Sequence, residues 1–163
     1  MSKEKPSYTF NFNTAVDKAE ETKTFAELSD RPPSALQGLT EKGDLVFAKY
    51  NIHTIKDLAT WKYYHIAKAI FILSTTEDGS RAANAHSNFN DTIVEGWRSK
   101  TLAELVDAPL TALSGIGDKI ATDFKGLRPA PKTIGELANW KYTKWAESLV
   151  TLSLYETADH SSR

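Results

Sequence analysis

The chain has 163 residues with a formal net charge of −1, and 40% of its residues are apolar and 25% charged. This is the composition of a soluble globular protein, and the 20 basic against 21 acidic residues exclude a protein held to phosphates by bulk charge. The absence of cysteine excludes disulfide scaffolds, thiolate catalysis and cysteine-ligated metal centres. No apolar stretch of the kind found in a secretory signal follows residues 1–6, so we expect a cytoplasmic protein.

An internal repeat organises the sequence. Residues 23–38 align with residues 100–115, and ten of these sixteen positions are identical. After two extra residues around 128–131, residues 54–74 align with residues 133–153, and ten of these twenty-one positions are identical. The duplication predicts two units, 10–77 and 88–156, a linker at 78–87, and flexible ends at 1–9 and 157–163.

Both predicted units carry helix-start signals at matching places. A hydroxyl side chain followed three positions later by an acid favours a helix start, because the hydroxyl accepts a hydrogen bond from a free amide and the acid favours the positive helix end. At matching places in the two repeats, this pattern occurs at Thr24 and Thr101 and again at Thr54 and Thr133. Glu27 and Glu104 complete the strict capping box for Thr24 and Thr101.

The last helix of each unit is predicted from apolar residues that recur at a spacing of 3.6 positions and should face a core. These residues are Tyr63, Ile66, Ala67, Ile70 and Leu73 in the first unit, and Tyr142, Trp145, Ala146, Leu149 and Leu152 in the second. No segment shows the sustained alternation of a strand. We therefore predict an all-α fold made of two tandem repeats of short helices.

The segment 110–124 contains the most informative local pattern, in which Gly115, Ile116 and Gly117 follow a leucine and precede an alanine at position 121. It resembles the helix-hairpin-helix motif, in which two short helices join through a glycine–apolar–glycine turn. Glycine permits a positive φ in such a turn, the apolar residue packs between the helices, and the small Ala121 lets them approach closely. The resemblance implies that each repeat is built round such a motif.

The same resemblance implies an anion site. In DNA-binding members of the family, the hairpin amides and a neighbouring lysine hold a phosphate, and here Gly115, Gly117 and Lys119 match them. Lys42 occupies the matching place in the first repeat, after Gly38 and Leu39. That repeat departs from the pattern, because a threonine replaces the second glycine and an aspartate replaces the alanine. Acids also flank both lysines, which weakens their attraction for a polyanion.

Aromatic residues are the second group of candidates. Trp61 and Trp140 are kept in both repeats, which indicates core residues. Tyr64 and Trp145 differ from their counterparts, so we expect them on a surface. Trp97 lies outside the matched positions and is a candidate for a contact between units or with a partner.

Nothing in the sequence indicates catalysis. The four histidines are scattered, no nucleotide-binding loop is present, and the carboxylates are spread evenly along the chain. The sequence therefore predicts no catalytic site, no metal site and no cofactor.

Our leading hypothesis is a non-enzymatic binding or scaffolding protein whose helix-hairpin-helix-like units mediate protein–protein interaction. The alternative is DNA or RNA binding through the hairpin amides with Lys119 and Lys42. A small ligand between aromatic-lined helices is a third, less favoured hypothesis, and no membrane contact is expected. The candidate binding residues are Gly38, Leu39, Lys42, Tyr64, Trp97, Gly115, Ile116, Gly117, Lys119 and Trp145.

Overall fold

The computed structural model describes residues 15–20, 23–77, 89 and 91–156. The described residues form helices and turns with three isolated bridge pairs and no strand, which confirms the predicted all-α fold. The predictions of flexible ends at 1–9 and 157–163, and of a linker at 78–87, lie outside the described residues.

Eight α-helices and five short 3-10 helices make up the described part of the chain. The α-helices are α1 (Phe25–Ser29), α2 (Thr40–Ala48), α3 (Ile55–Ala59), α4 (Lys62–Ser74), α5 (Leu102–Val106), α6 (Ile120–Asp123), α7 (Ile134–Ala138) and α8 (Lys141–Ser153). The 3-10 helices are Lys18–Glu20, Pro33–Ala35, Glu95–Trp97, Leu110–Ala112 and Phe124–Gly126.

The chain forms two compact units, and their boundaries differ from those of the sequence repeats. The first unit comprises Met1–Ala59 and Tyr142–Arg163, and the second comprises Thr60–Lys141. The first unit thus contains α1 to α3 together with α8, whereas the second contains α5 to α7 together with α4. Each unit combines the early helices of one repeat with the last helix of the other.

The capping boxes predicted for α1 and α5 are confirmed. The Thr24 hydroxyl accepts a hydrogen bond from the Glu27 N–H at 3.1 Å, and the Glu27 carboxylate accepts one from the Thr24 N–H at 3.1 Å. Thr101 and Glu104 form the same reciprocal pair at 3.1 and 3.0 Å. Both helices begin directly after the threonine, because these two bonds satisfy amides that have no partner within the helix.

The helix starts predicted at Thr54 and Thr133 are also confirmed. Asp57 closes a box with Thr54 despite its shorter side chain, since its N–H donates to the Thr54 hydroxyl at 3.0 Å and its carboxylate accepts from the Thr54 N–H at 3.2 Å. The Thr133 hydroxyl accepts from the Glu136 N–H at 3.1 Å. The Glu136 carboxylate instead accepts from the Lys132 N–H at 2.9 Å.

The core of the second unit contains Trp61 and Trp140, the two tryptophans that occupy the same position in the two repeats. Helix α4 packs against α5 and α7. The ring of Phe124 lies 6.0 Å from that of Trp61 and 5.7 Å from that of Trp140, measured between centroids. Trp61 is 7% and Trp140 3% exposed, which confirms the prediction that both are core residues.

The apolar stripes of α4 and α8 are buried or half-buried at every position except the last. Ala67 and Ile70 on α4 are buried, and so are Tyr142, Ala146 and Leu149 on α8. The last member of each stripe departs from the prediction, because Leu73 and Leu152 are 53% and 48% exposed. The buried face of each helix therefore ends one turn before the helix does.

Candidate binding site

The second hairpin turn, residues 113–117, has the backbone geometry expected for its two glycines. Gly115 and Gly117 have φ values of +92° and +96°, in the left-handed region that favours glycine. Ile116 is 4% exposed, so it packs inward as predicted. Lys119 is exposed immediately before α6. The turn therefore presents its glycines and its lysine on the surface and inserts its apolar residue into the core.

The helices that flank this turn are shorter than the two α-helices of a helix-hairpin-helix motif. A single 3-10 helix, Leu110–Ala112, precedes it, and the four-residue α6 follows it. The prediction that Ala121 lets two helices approach closely is wrong, because Ala121 is exposed and lines a cleft. A helix this short cannot bring the alanine against a partner helix.

The first hairpin turn, residues 36–40, has a similar form without the second glycine. Gly38 has a φ of +103°, Leu39 is 2% exposed, and Lys42 is exposed on α2. Thr40 stands where the second repeat has Gly117, and it has a φ of +55°. A β-branched residue rarely adopts this conformation, so the turn imposes it on Thr40.

Each first glycine lies against a tyrosine from the last helix of the other repeat. In the second unit, the hydroxyl oxygen of Tyr63 lies 2.7 Å from the point where a Cβ would stand at Gly115. In the first unit, Tyr142 contacts Gly38 in the same way, and burial raises the pKa of the Tyr142 hydroxyl. Within the part of the chain that the structure describes, no heavy atom outside Gly117 and its two chain neighbours lies within 4 Å of the equivalent point at Gly117. The first glycine of each turn is thus a packing position as well as a turn position.

The aromatic candidates differ in exposure. The prediction that Tyr64 lies on a surface is wrong, because its side chain is 0% exposed. Thr143, its counterpart in the second repeat, is also 0% exposed, so this helix position is buried in both copies although the residue type changes. Trp145 is half-buried, with its ring edge-on to Tyr142 at 5.8 Å. Trp97 is half-buried at the end of its 3-10 helix, and its partner role stays a prediction.

A cleft of about 600 Å³ lies in the second unit beside the second hairpin turn. It lies between the hairpin elements and the segment 127–132. Its floor consists of four buried apolar side chains, Leu110, Ile120, Leu127 and Pro131. Three exposed cations line it, Lys125, Arg128 and Lys132. The cleft therefore combines an apolar floor with a basic rim.

Hydrogen bonds hold the segment 127–132 in place. The Leu127 N–H donates to the Phe124 carbonyl at 2.9 Å, and the Trp140 indole N–H donates to the Pro129 carbonyl at 2.7 Å. Just beyond the segment, the Ile134 N–H donates to the Ala108 carbonyl at 3.0 Å. A wall tethered in this way is preorganised, so a ligand would not have to order it.

Sequence reasoning missed the cleft. The one sequence feature that pointed to it is the two-residue insertion around 128–131, which the repeat alignment locates. The residues around this insertion supply most of one wall of the cleft. An insertion in one copy shows that the copies differ there, but not that the added residues enclose a cavity.

Two glutamates were also missed, and both bind the amides of a first helical turn. The Glu156 carboxylate accepts hydrogen bonds from Phe25 N–H at 2.6 Å and Ala26 N–H at 2.9 Å, at the start of α1. Glu77 accepts equivalent bonds from the first two amides of α5 at 2.9 and 3.0 Å. The two glutamates occupy matching positions three residues beyond the aligned segments, so a longer alignment would have found the pair.

The described residues hold no group of three or more histidines or carboxylates able to bind a metal ion. None of the described helices has the length and apolar character needed to cross a membrane. Comparisons with known protein families, with curated proteins and with solved structures find no match to this chain.

Proposed function

We propose that this chain is a non-enzymatic binding protein whose duplicated, helix-hairpin-helix-like units mediate protein–protein interaction. The observation that carries the proposal is the cleft of about 600 Å³ in the second unit, with its apolar floor, basic rim and tethered wall. Protein interfaces have this anatomy, in which an apolar centre supplies most of the affinity and a polar rim surrounds it.

The openness of the cleft favours a protein partner over a small ligand. Ala121 and Pro129 line it and are exposed, as are all three cations. A small-molecule site buries most of its ligand's surface, which requires enclosing walls. A protein segment brings its own covering surface and does not need them.

The duplication is supported by matching local features in the two copies. Val16 pairs with Leu36, and Ile93 pairs with Leu113, as isolated antiparallel bridges that lead into the two hairpin turns. The capping boxes of α1 and α5 and the tyrosine contacts at Gly38 and Gly115 also match. In this proposal the hairpin turns have a structural role, and the binding surface is the cleft, which lies where the two copies differ in sequence.

Nucleic-acid binding is the second candidate function. It is favoured by the exposed N–H groups of Gly115 and Gly117, which have no acceptor among the described residues, and by the nearby Lys119. Asp118 and Asp123 lie beside that lysine in sequence. With Lys42, the hairpins offer two cations, and affinity for a duplex grows with the number of phosphates neutralised.

One experiment separates the two functions. The immobilised full chain is exposed to extract with and without nuclease, and the same protein is titrated into labelled duplex and single-stranded DNA at low and physiological salt. We expect partner proteins to survive nuclease treatment, and the Lys119→Glu variant to capture them equally at an unchanged melting temperature.

Two results would contradict protein binding: capture that disappears with nuclease, or a duplex affinity that weakens in Lys42→Glu and Lys119→Glu. In the second case the salt slope should fall by about one unit per substitution, and the function would be nucleic-acid binding.

A further inference from the structure

One difference between the two hairpins concerns a carboxylate that binds a backbone amide in the first unit. In the first unit, the Asp44 carboxylate accepts a hydrogen bond from the Ser34 N–H at 2.8 Å and so links α2 to the preceding 3-10 helix. The repeat alignment places Thr111 and Ala121 at these two positions in the second unit. Both line the cleft. The two positions that correspond in sequence to Ser34 and Asp44 thus both lie on the wall of the cleft.

The backbone donor is retained after the carboxylate is lost. The residues before the two 3-10 helices, Pro32 and Pro109, have nearly identical φ and ψ values of −64° and 158°, and of −66° and 159°. Thr111 N–H thus belongs to the same local structure as Ser34 N–H. Among the described residues it has no acceptor, although Thr111 is half-buried. This amide can therefore donate to an acceptor supplied from outside the chain.

The charge of the cleft favours an anionic acceptor. Lys125, Arg128 and Lys132 line it, and none of the other described residues that line it is an aspartate or a glutamate. The carboxylate of Glu136, at the start of α7, accepts a hydrogen bond from the Lys132 N–H. Three cations around an apolar floor, in a chain of net charge −1, make this cleft a local basic site.

We propose that the cleft binds an acidic, amphipathic segment of a partner protein. A carboxylate of that segment takes, in the second unit, the place that Asp44 takes in the first, and an adjacent apolar side chain contacts Leu110, Ile120 and Leu127. This inference rests on the proposed function and names the chemistry of the partner.

The lining argues for a peptide rather than a nucleic acid. Single-stranded nucleic acids bind through aromatic rings on which bases stack, and none of the described lining residues of the cleft is aromatic. The buried floor of leucine, isoleucine and proline instead suits aliphatic or aromatic side chains of a protein segment.

The test uses the first unit as the template for a blocking substitution. Ala121→Asp gives the second unit the carboxylate that the first unit has, next to the Thr111 amide. Ala121 is exposed, so the variant should keep the wild-type melting temperature. Asp44→Ala is the matched control in the other unit. Lys125→Glu reverses a rim charge without adding a carboxylate at position 121.

The probe is a peptide selected from a display library of random short sequences on the immobilised full chain, then synthesised with a fluorescent label. We expect the enriched peptides to combine acidic with large apolar residues. The affinity of these peptides should fall about tenfold in the Ala121→Asp and Lys125→Glu variants, because each substitution removes a charge-assisted contact with the peptide. The affinity should be unchanged in Asp44→Ala. Replacing the peptide's carboxylates with amides should have an effect of similar size.

Three results would overturn the inference: no enrichment, enrichment of neutral or basic peptides, or equal affinity for wild type and Ala121→Asp. The proposed function is judged separately by protein capture. Partner proteins captured equally by wild type and Ala121→Asp would leave protein binding standing and refute this assignment of the cleft.

Discussion

The hydroxyl oxygen of Tyr142 lies 2.7 Å from the point where a Cβ would stand at Gly38. Gly38 also has a φ of +103°, so two independent constraints disfavour a side chain at this position. Tyr63 and Gly115 repeat the relationship in the second unit. Because each tyrosine comes from the repeat that does not contain the glycine, the hairpin turn and the last helix of the other repeat constrain each other.

Substituting the turn glycines should separate backbone strain from steric contact. Gly117→Ala should cost about 1 kcal/mol of unfolding free energy, because an L-residue is strained at its φ but meets no neighbouring atom. Gly38→Ala and Gly115→Ala should cost about 3 kcal/mol, because collision with the tyrosine hydroxyl is added. Denaturation with urea gives the three values.

Gly96→Ala is the matched control, since Gly96 has neither a left-handed φ nor a neighbour within 4 Å of its Cβ position. Adding Tyr63→Phe to Gly115→Ala removes the colliding oxygen and should recover part of the loss. Equal costs for Gly115→Ala and Gly117→Ala would show that the tyrosine contact has no energetic role.

Thr40→Gly should stabilise the first hairpin turn. Thr40 is exposed and has a φ of +55°, so glycine relieves strain without removing a buried contact. Relief of the backbone strain is worth about 1–2 kcal/mol, and the greater entropy that glycine gives the unfolded chain partly offsets it. The free energy of unfolding should therefore rise by about 0.5–1 kcal/mol. The reciprocal change, Gly117→Thr, should destabilise. A loss of stability in Thr40→Gly, measured by thermal unfolding, would contradict this account.

Removing either glutamate cap should loosen the first turn of the helix that it binds. Glu156→Ala leaves the amides of Phe25 and Ala26 without their acceptor, and Glu77→Ala does the same in α5. Each should cost about 1 kcal/mol, the usual value of a side-chain helix cap. Hydrogen exchange should accelerate at those two amides in each variant. Glu95→Ala, at an exposed position with no such bond, is the control, and unchanged exchange in the cap variants would refute the role.

An ion-pair cluster in the first unit should make its stability depend on pH. Glu20 is buried, accepts a hydrogen bond from Arg31 at 2.6 Å and lies 3.1 Å from the Lys23 ammonium. Burial alone would raise the pKa of Glu20, but the hydrogen bonds and charges of Arg31 and Lys23 outweigh it and hold the pKa below its ordinary value of 4.5. The folded state therefore binds this proton less readily than the unfolded state does.

The stabilisation by Glu20 should be fully present above its ordinary pKa and lost as the pH falls through the lowered one. Glu20→Gln should cost about 1 kcal/mol at neutral pH, because Arg31 is partly exposed to solvent, and the difference from wild type should shrink in acid. Asp17 acts in the opposite sense, since burial and the charge of Glu20 raise its pKa. A stability difference between wild type and Glu20→Gln that grows in acid would contradict the prediction.

Local features of the fold were predictable because they depend on residues a few positions apart. The capping box of Thr24 joins groups three residues apart, and the positive φ of Gly115 and Gly117 is a property of the glycines themselves. The burial of Trp61 and Trp140 followed from their retention in both repeats. None of these three inferences required knowledge of the tertiary arrangement.

The sequence by itself determined the all-α class, the four helix starts and the geometry of the turns, because short-range hydrogen bonds and backbone sterics set these. Only the tertiary structure decided that α4 and α8 belong to the unit of the opposite repeat, since an apolar stripe specifies a buried face but not the surface that covers it. The burial of Tyr64 was decided in the same way. The cleft likewise exists only because packing brings the insertion near 128–131 against Thr111 and Ala121.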